Sequence, residues 1–228
     1  MSRLRSLLVV LIALLAASAC ASAVASAEPP ELRSSSFPIK YEGTISEPAT
    51  WEVPGGNQQF KCASGSTSEG EITGAKTVTA VMHFRGCRVT GVNSWCTSEG
   101  AKTGEIVTQP LEGTVVSAPN FAVAIVFKPK SGVNVVNTLK CLLVNSEVRG
   151  IIIAVCTNPQ YKATSTLNLT LRQEAGYQTP EWYYTETEAK VPAWLETTWA
   201  SGLFQRLGWN FNNTLSLSGG TVKPVGLL

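Results

Sequence analysis

The pattern of apolar and polar positions changes character after the first 27 residues of this chain. Arg3 and Arg5 precede an unbroken apolar run, Leu7–Ala17, and Ala25-Ser26-Ala27 is a small-x-small cleavage site. That order predicts a secretory signal peptide over 1–27. The run falls short of the ~20 residues that a membrane span needs, and nothing later approaches it, so no transmembrane helix is expected. A rival reading takes Ala17-Ser18-Ala19-Cys20 as a loose lipobox, which makes Cys20 a lipid anchor. Cleavage before Glu28 is the better geometry, and the expected location is extracellular.

Residues 28–40 (EPPELRSSSFPIK) are rich in Pro and Ser and show no period, which predicts a flexible arm. From Tyr41 the chain reads as short strands between Gly, Pro and Asn. Strands are expected at Thr77–Phe84, Leu111–Val116, Phe121–Phe127, Glu147–Val155, Ala163–Leu171 and Asn213–Leu217. Leu167, Leu169 and Leu171 alternate with Asn168 and Thr170, the mark of a half-buried antiparallel strand. No segment sustains a helical period for three turns; the best candidate, Val191–Leu203, suits a strand as well. The prediction is an all-β, antiparallel sandwich or barrel with few or no helices, as one domain over 41–228.

Composition then removes chemistry. Cleavage at 27 leaves 228 − 27 = 201 residues and 18 − 2 = 16 basic groups against 16 acids. A neutral chain of this kind is a poor partner for nucleic acid, which selects for a basic face. All the acids are Glu, and His83 is the sole histidine. An aspartic dyad and an EF-hand are thereby excluded, and a Ser-His-Glu triad has to use His83. No metal site and no cofactor is expected.

An exported chain meets oxidising conditions, so the cysteines point to disulfides. Cys87 and Cys96 flank a short Gly/Asn/Ser turn, which favours a local bridge. The expected pairs are Cys87–Cys96 and Cys62–Cys141. Cys156, which ends the run Ile151–Val155, is expected to be a buried thiol. Cys-x-Ser-x5-Gly-Glu-Ile occurs at Cys62 and again at Cys96, which suggests either a duplicated hairpin or coincidence.

The series Phe60-Lys61-Cys62, Val81–Cys87 and Cys96–Gly113, followed by Cys141 and Val148-Arg149-Gly150, resembles a group of secreted proteins of soil actinobacteria with no assigned function. The group's pattern runs strand-F-x-G-C, a short loop, C-x-S-x-G-A, then G-E-I-x-T-x-P-L-x-G. The likeness covers roughly 55–155 and implies a secreted all-β protein. Its residues are cysteines, turn glycines and strand positions, so it implies no site. Cys156 and the aromatic-rich C-terminal region depart from the pattern.

Three sets of residues are candidates for function. His83 sits on a strand and has no Asp partner. Glu71 and Glu105, with Glu69, Glu99 and Glu112 in reserve, offer the carboxylate pair of a Glu-dependent carbohydrate-active enzyme. The third set lies between Tyr177 and Phe211, where Trp182, Tyr184, Trp194 and Trp199 are candidate ligand-binding residues. Such rings stack on sugars, anchor protein contacts, or simply fill a core. Asn168-Leu169-Thr170 and Asn212-Asn213-Thr214 fit the glycosylation pattern without a functional reading. The expected role is non-catalytic, at the cell surface or in the medium, with a cell-wall glycan or a surface protein as partner.

Overall fold

The computed structural model describes residues 29–56, 59–92, 94–141, 144–198 and 202–226. The proposed leader and Cys20 lie outside the described residues.

Along the chain, β1 (Glu31–Arg33), β2 (Ile39–Ile45), β3 (Thr50–Glu52) and β4 (Gln59–Lys61) precede the hairpin of β5 (Ser66–Ile72) and β6 (Thr77–Phe84). Next come three two-residue strands, β7 (Arg88–Val89), β8 (Cys96–Thr97) and β9 (Ile106–Val107). Longer strands follow: β10 (Leu111–Ser117), β11 (Val123–Pro129), β12 (Val135–Cys141), β13 (Val144–Gly150) and β14 (Ile152–Cys156). Then come β15 (Thr166–Glu174), β16 (Tyr177–Thr179), β17 (Trp182–Tyr184), β18 (Lys190–Pro192) and β19 (Leu195–Thr197). The 14-residue β20 (Gln205–Ser218) and β21 (Lys223–Val225) end the series. A single 3-10 turn, Pro119–Phe121, is the only helical element among the described residues. The stretch that came nearest to a helical period holds β18 and β19 instead.

Eight of these strands close on themselves. The antiparallel order β2–β5–β6–β10–β11–β14–β15–β20 returns to β2 and leaves no free edge. Alternation decides which side chains enter: Val78, Ala80, Met82 and Phe84 of β6 are buried, as are Leu167, Leu169 and Leu171 of β15. Lys40, Glu42 and Thr44 of β2 face out. The apolar lumen and polar wall are the reverse of a lipid-facing barrel. Two polar groups inside are joined, with Asn213 Nδ2 donating to Ser68 Oγ at 2.8 Å, while the buried Asn213 Oδ1 has no hydrogen-bond partner among the described residues. Beside them a Cβ on Gly43 would meet Ser68 Oγ at 1.9 Å, so only glycine fits.

One sector of the outer wall is apolar. Val116, Ala124, Val126 and Ile153 are covered there by Tyr183 and Ala193, carried on the excursion through β17 and β18. Gln178 of β16 fastens the cover: its Oε1 accepts from Ile153 N at 3.0 Å and its Nε2 donates to Ile151 O at 3.1 Å.

A second ring hangs on the first. β20 gives Phe211–Ser218 to the main barrel, while Gln205–Asn210 pairs with β19 on one side and β3 on the other. From β3 the order continues β4, β7, β8, β12, β13 and β19, closed between β7 and β8 by the bridge Arg88↔Trp95. The expected strand Glu147–Val155 is in fact two: β13 belongs to the second ring and β14 to the main barrel. The chain crosses at Gly150, whose φ of +113° and approach to Trp194 O exclude a side chain. Where the rings meet, Trp51 stacks on Phe60 at 4.7 Å and packs edge-on against Phe84 and Trp209, joining both lumens into one core.

Three expectations are corrected. The stretch read as a flexible arm is ordered at Glu31–Arg33, where β1 pairs with β21 and buries Leu32 completely. The disulfides are Cys62–Cys87 and Cys96–Cys141, not Cys87–Cys96 and Cys62–Cys141. Cys87 and Cys96 are indeed neighbours, but through Cys96 N donating to Cys87 O at 2.9 Å. Each thiol turns instead to the strand on its far side, and Cys96 lies directly opposite Cys141. Finally, the Cys62 and Cys96 echo is no duplication. After Cys62 the chain runs as the straight β5, whereas after Cys96 it folds back so that Ser98 N donates to Glu105 O. Cys156 is a free, buried cysteine, as expected.

Candidate functional site

The outer face of the second ring carries a groove of about 1070 Å³. Its floor is β8, β12 and β13, and its walls are the turn Ser98–Ala101 and the segment around Gly202 and Phe204. Strand register sets the floor as rows of hydrogen-bonding side chains. Thr97, Lys140 and Asn145 are lateral neighbours across three strands. Thr138 and Glu147 form the next row, with Thr198 Oγ1 accepting from Glu147 N at 3.1 Å. A third row runs Arg149, Glu196, Arg206 across β13, β19 and β20.

The arginines are already braced. Arg149 forks onto Glu147 Oε2, with Nε at 2.9 Å and Nη2 at 2.5 Å, and its guanidinium lies 4.3 Å from the centre of the Phe204 ring. Arg206 lies over Trp194 at 4.1 Å. Each stack holds an aromatic ring in place at the groove or beside it. Lys140 and Asn145 have exposed side chains with no hydrogen-bond partner among the described residues, so they are free for a ligand. Glu99 and Glu147 balance Lys140 and Arg149 in the lining. The groove therefore offers hydrogen bonds and an aromatic edge without a net field, which suits an uncharged polar polymer.

The aromatic candidates do not form one face. Trp209 and Phe211 are fully buried at the junction of the two rings, and Tyr183 is buried as part of the apolar cover. Trp182 and Tyr184 are half-buried on β17, edge to face at 4.9 Å, with Lys190 Nζ 4.1 Å from the Trp182 ring centre. Trp194 is exposed beside the groove. Trp199 lies outside the described residues.

The carboxylate pair is not assembled. Glu71 is registered with Thr79 of β6, while Glu105 lies 3.6 Å from the His83 ring nitrogen Nδ1, four positions farther along that strand. At about 3.3 Å per residue this is roughly 13 Å, beyond the ~5–9.5 Å at which paired carboxylates cleave glycosides. Glu71 and Glu112 do flank Thr79, but on the convex outer wall, where Lys40 lies 4.0 Å from Glu71. His83 is half-buried between Thr67 and Val107, its partner Glu105 also receiving Lys102 N at 3.4 Å, an arrangement that ties a turn to the barrel wall.

Sequence reasoning missed Thr97, Lys140, Asn145 and Arg149 and reached Phe204 only as one ring of the Tyr177–Phe211 cluster, the five being scattered over more than a hundred positions. The one local trace was the polar alternation Asn145, Glu147, Arg149 inside an otherwise apolar strand region. The chain matches no protein-family model, no curated protein and no solved structure. The geometry itself thus carries the functional argument: a closed all-β barrel, a second disulfide-linked ring, and one broad polar groove.

Proposed function

We propose that this protein is exported and acts without catalysis, holding an uncharged glycan of the cell envelope in the groove of the second ring. The observation that carries the reading is the groove floor, whose rows of Thr97, Lys140, Asn145, Thr138 and Glu147 end at the Phe204 ring braced by Arg149. Adjacent strands lie about 4.8 Å apart, close to the length of one sugar unit, so successive sugars can meet successive members of one row. Two disulfides and the leader-like N-terminus support an oxidising, extra-cytoplasmic setting. The likeness to exported actinobacterial proteins bears on the compartment in the same sense.

The test is retention of the purified protein on insoluble polysaccharides and a peptidoglycan fraction. Phe204→Ala and Asn145→Ala are each expected to weaken retention about tenfold, the scale of one lost stacking or hydrogen-bonding contact, with melting temperature unchanged. Retention on none of these polymers, or retention indifferent to both substitutions, sinks the reading.

A further inference from the structure

A second cleft, of about 550 Å³, opens on the far side of the aromatic-rich region and differs in charge from the groove. Pro119, Glu174, Tyr177, Pro180, Glu181 and Trp182 line it, and its lining contains acids but no basic residue. From this we infer that the cleft is a binding site for an organic ammonium group.

Three other exposed rings are capped from within: Arg88 lies over Trp95, Arg149 over Phe204 and Arg206 over Trp194. Tyr177 is 42% exposed with no such cap. Trp182 already holds one cation, Lys190, which comes from the hairpin side and does not line the cleft. The carboxylates of Glu174 and Glu181 have no partner among the described residues. A ring face and a carboxylate attract the same ligand, since the ring quadrupole is negative over its face. The backbone holds them in register: Glu174 pairs with Tyr177 across the Ala175-Gly176 turn. Gly176 N donates to Gln173 Oε1 at 2.8 Å, and a Cβ on Gly176 would meet Pro54 N at 2.3 Å, so the turn is packed against the segment that follows β3. This site is independent of the glycan groove and stands or falls without it.

The experiment titrates the full protein with choline, n-butylammonium and the uncharged tert-butyl isostere of choline. The reporter is the indole N–H resonance that vanishes in Trp182→Phe. Both cations should give a saturable shift, and the isostere should bind about tenfold more weakly or not at all. Choline binding stronger than n-butylammonium would assign the site to quaternary ammonium groups, and the reverse order to primary amines. Glu181→Gln and Tyr177→Ala, both at exposed positions, should each weaken the cations at least about threefold. No saturable shift with either cation, or equal binding of the isostere by the wild-type protein, overturns the inference.

Discussion

In the main barrel β5 meets β2 over seven residue pairs and β6 over six. In the second ring β7 meets β4 over two pairs and touches β8 through one bridge. Both disulfides lie in the second ring, where Cys62–Cys87, the Cys87–Cys96 backbone hydrogen bond and Cys96–Cys141 stitch β4, β7, β8 and β12 in sequence. The main barrel has only the unpaired Cys156. The main barrel has one two-pair ladder, β14 on β15, among longer ones and closes without a cross-link, whereas the second ring runs two-pair ladders at β4–β7 and β8–β12 in succession with a single bridge between them. Covalent cross-links make up the difference, and the groove sits on the part that needs them.

The sharpest way to break that comparison is at the strand both rings share. Trp209 is fully buried, 5.4 Å from Trp51 and 5.8 Å from Phe84 between ring centres. Trp209→Ala should cost about 3–5 kcal/mol, as large-to-small changes at buried aromatics do. Because β20 serves both rings, far- and near-UV dichroism should fall in one transition. Two separated transitions would show that the rings fold as independent units.

Removing a disulfide should instead separate the rings. Cys96 and Cys141 are 45 positions apart, and the chain-entropy relation puts their bridge at about 4 kcal/mol. In a Cys96→Ala/Cys141→Ala variant, amide exchange should accelerate in β8, β12 and β13 while β5, β6 and β10 keep most of their protection. Equal acceleration in both sets would mean that the cross-link supports the whole molecule.

The same contrast explains what the sequence disclosed. Strand positions with a two-residue period were legible, and β6 falls on Thr77–Phe84 as the alternation foretold. Cys156 read correctly because an apolar run is a local property. Disulfide partners were not legible: Cys87 and Cys96 are close in sequence and in space, yet the side of the strand each thiol faces is set by ring closure. The aromatic cluster failed for a related reason. Trp194 and Trp209 are the same residue type in one aromatic-rich stretch, but Trp194, just before β19, is exposed while β20 turns Trp209 into the shared core. Nor does any local signal announce Phe204, whose role depends on Arg149 arriving from another strand.

The smallest effect belongs to the main barrel's thiol. Burial pushes the Cys156 pKa up from 9.0 to about 11, since the thiolate is poorly solvated there, although the Asn158 backbone N–H offers a partial hydrogen-bonding counterweight. The folded state thus holds a proton that the unfolded chain releases first. This contribution is complete below pH 9 and is lost as pH rises through about 11, amounting to about 2–3 kcal/mol. Tyr41 and Tyr183 are shifted upward by burial too, so the wild-type curve alone mixes several groups. Cys156→Ala isolates the thiol, because the substitution's packing cost is the same at every pH. Urea midpoints at neutral pH and through the alkaline range should show the wild type's advantage over the variant constant up to pH 9 and shrinking above it. Parallel curves would mean that the thiol titrates normally and that water reaches β14. The long-ladder barrel would then be less tightly closed than its disulfide-linked neighbour.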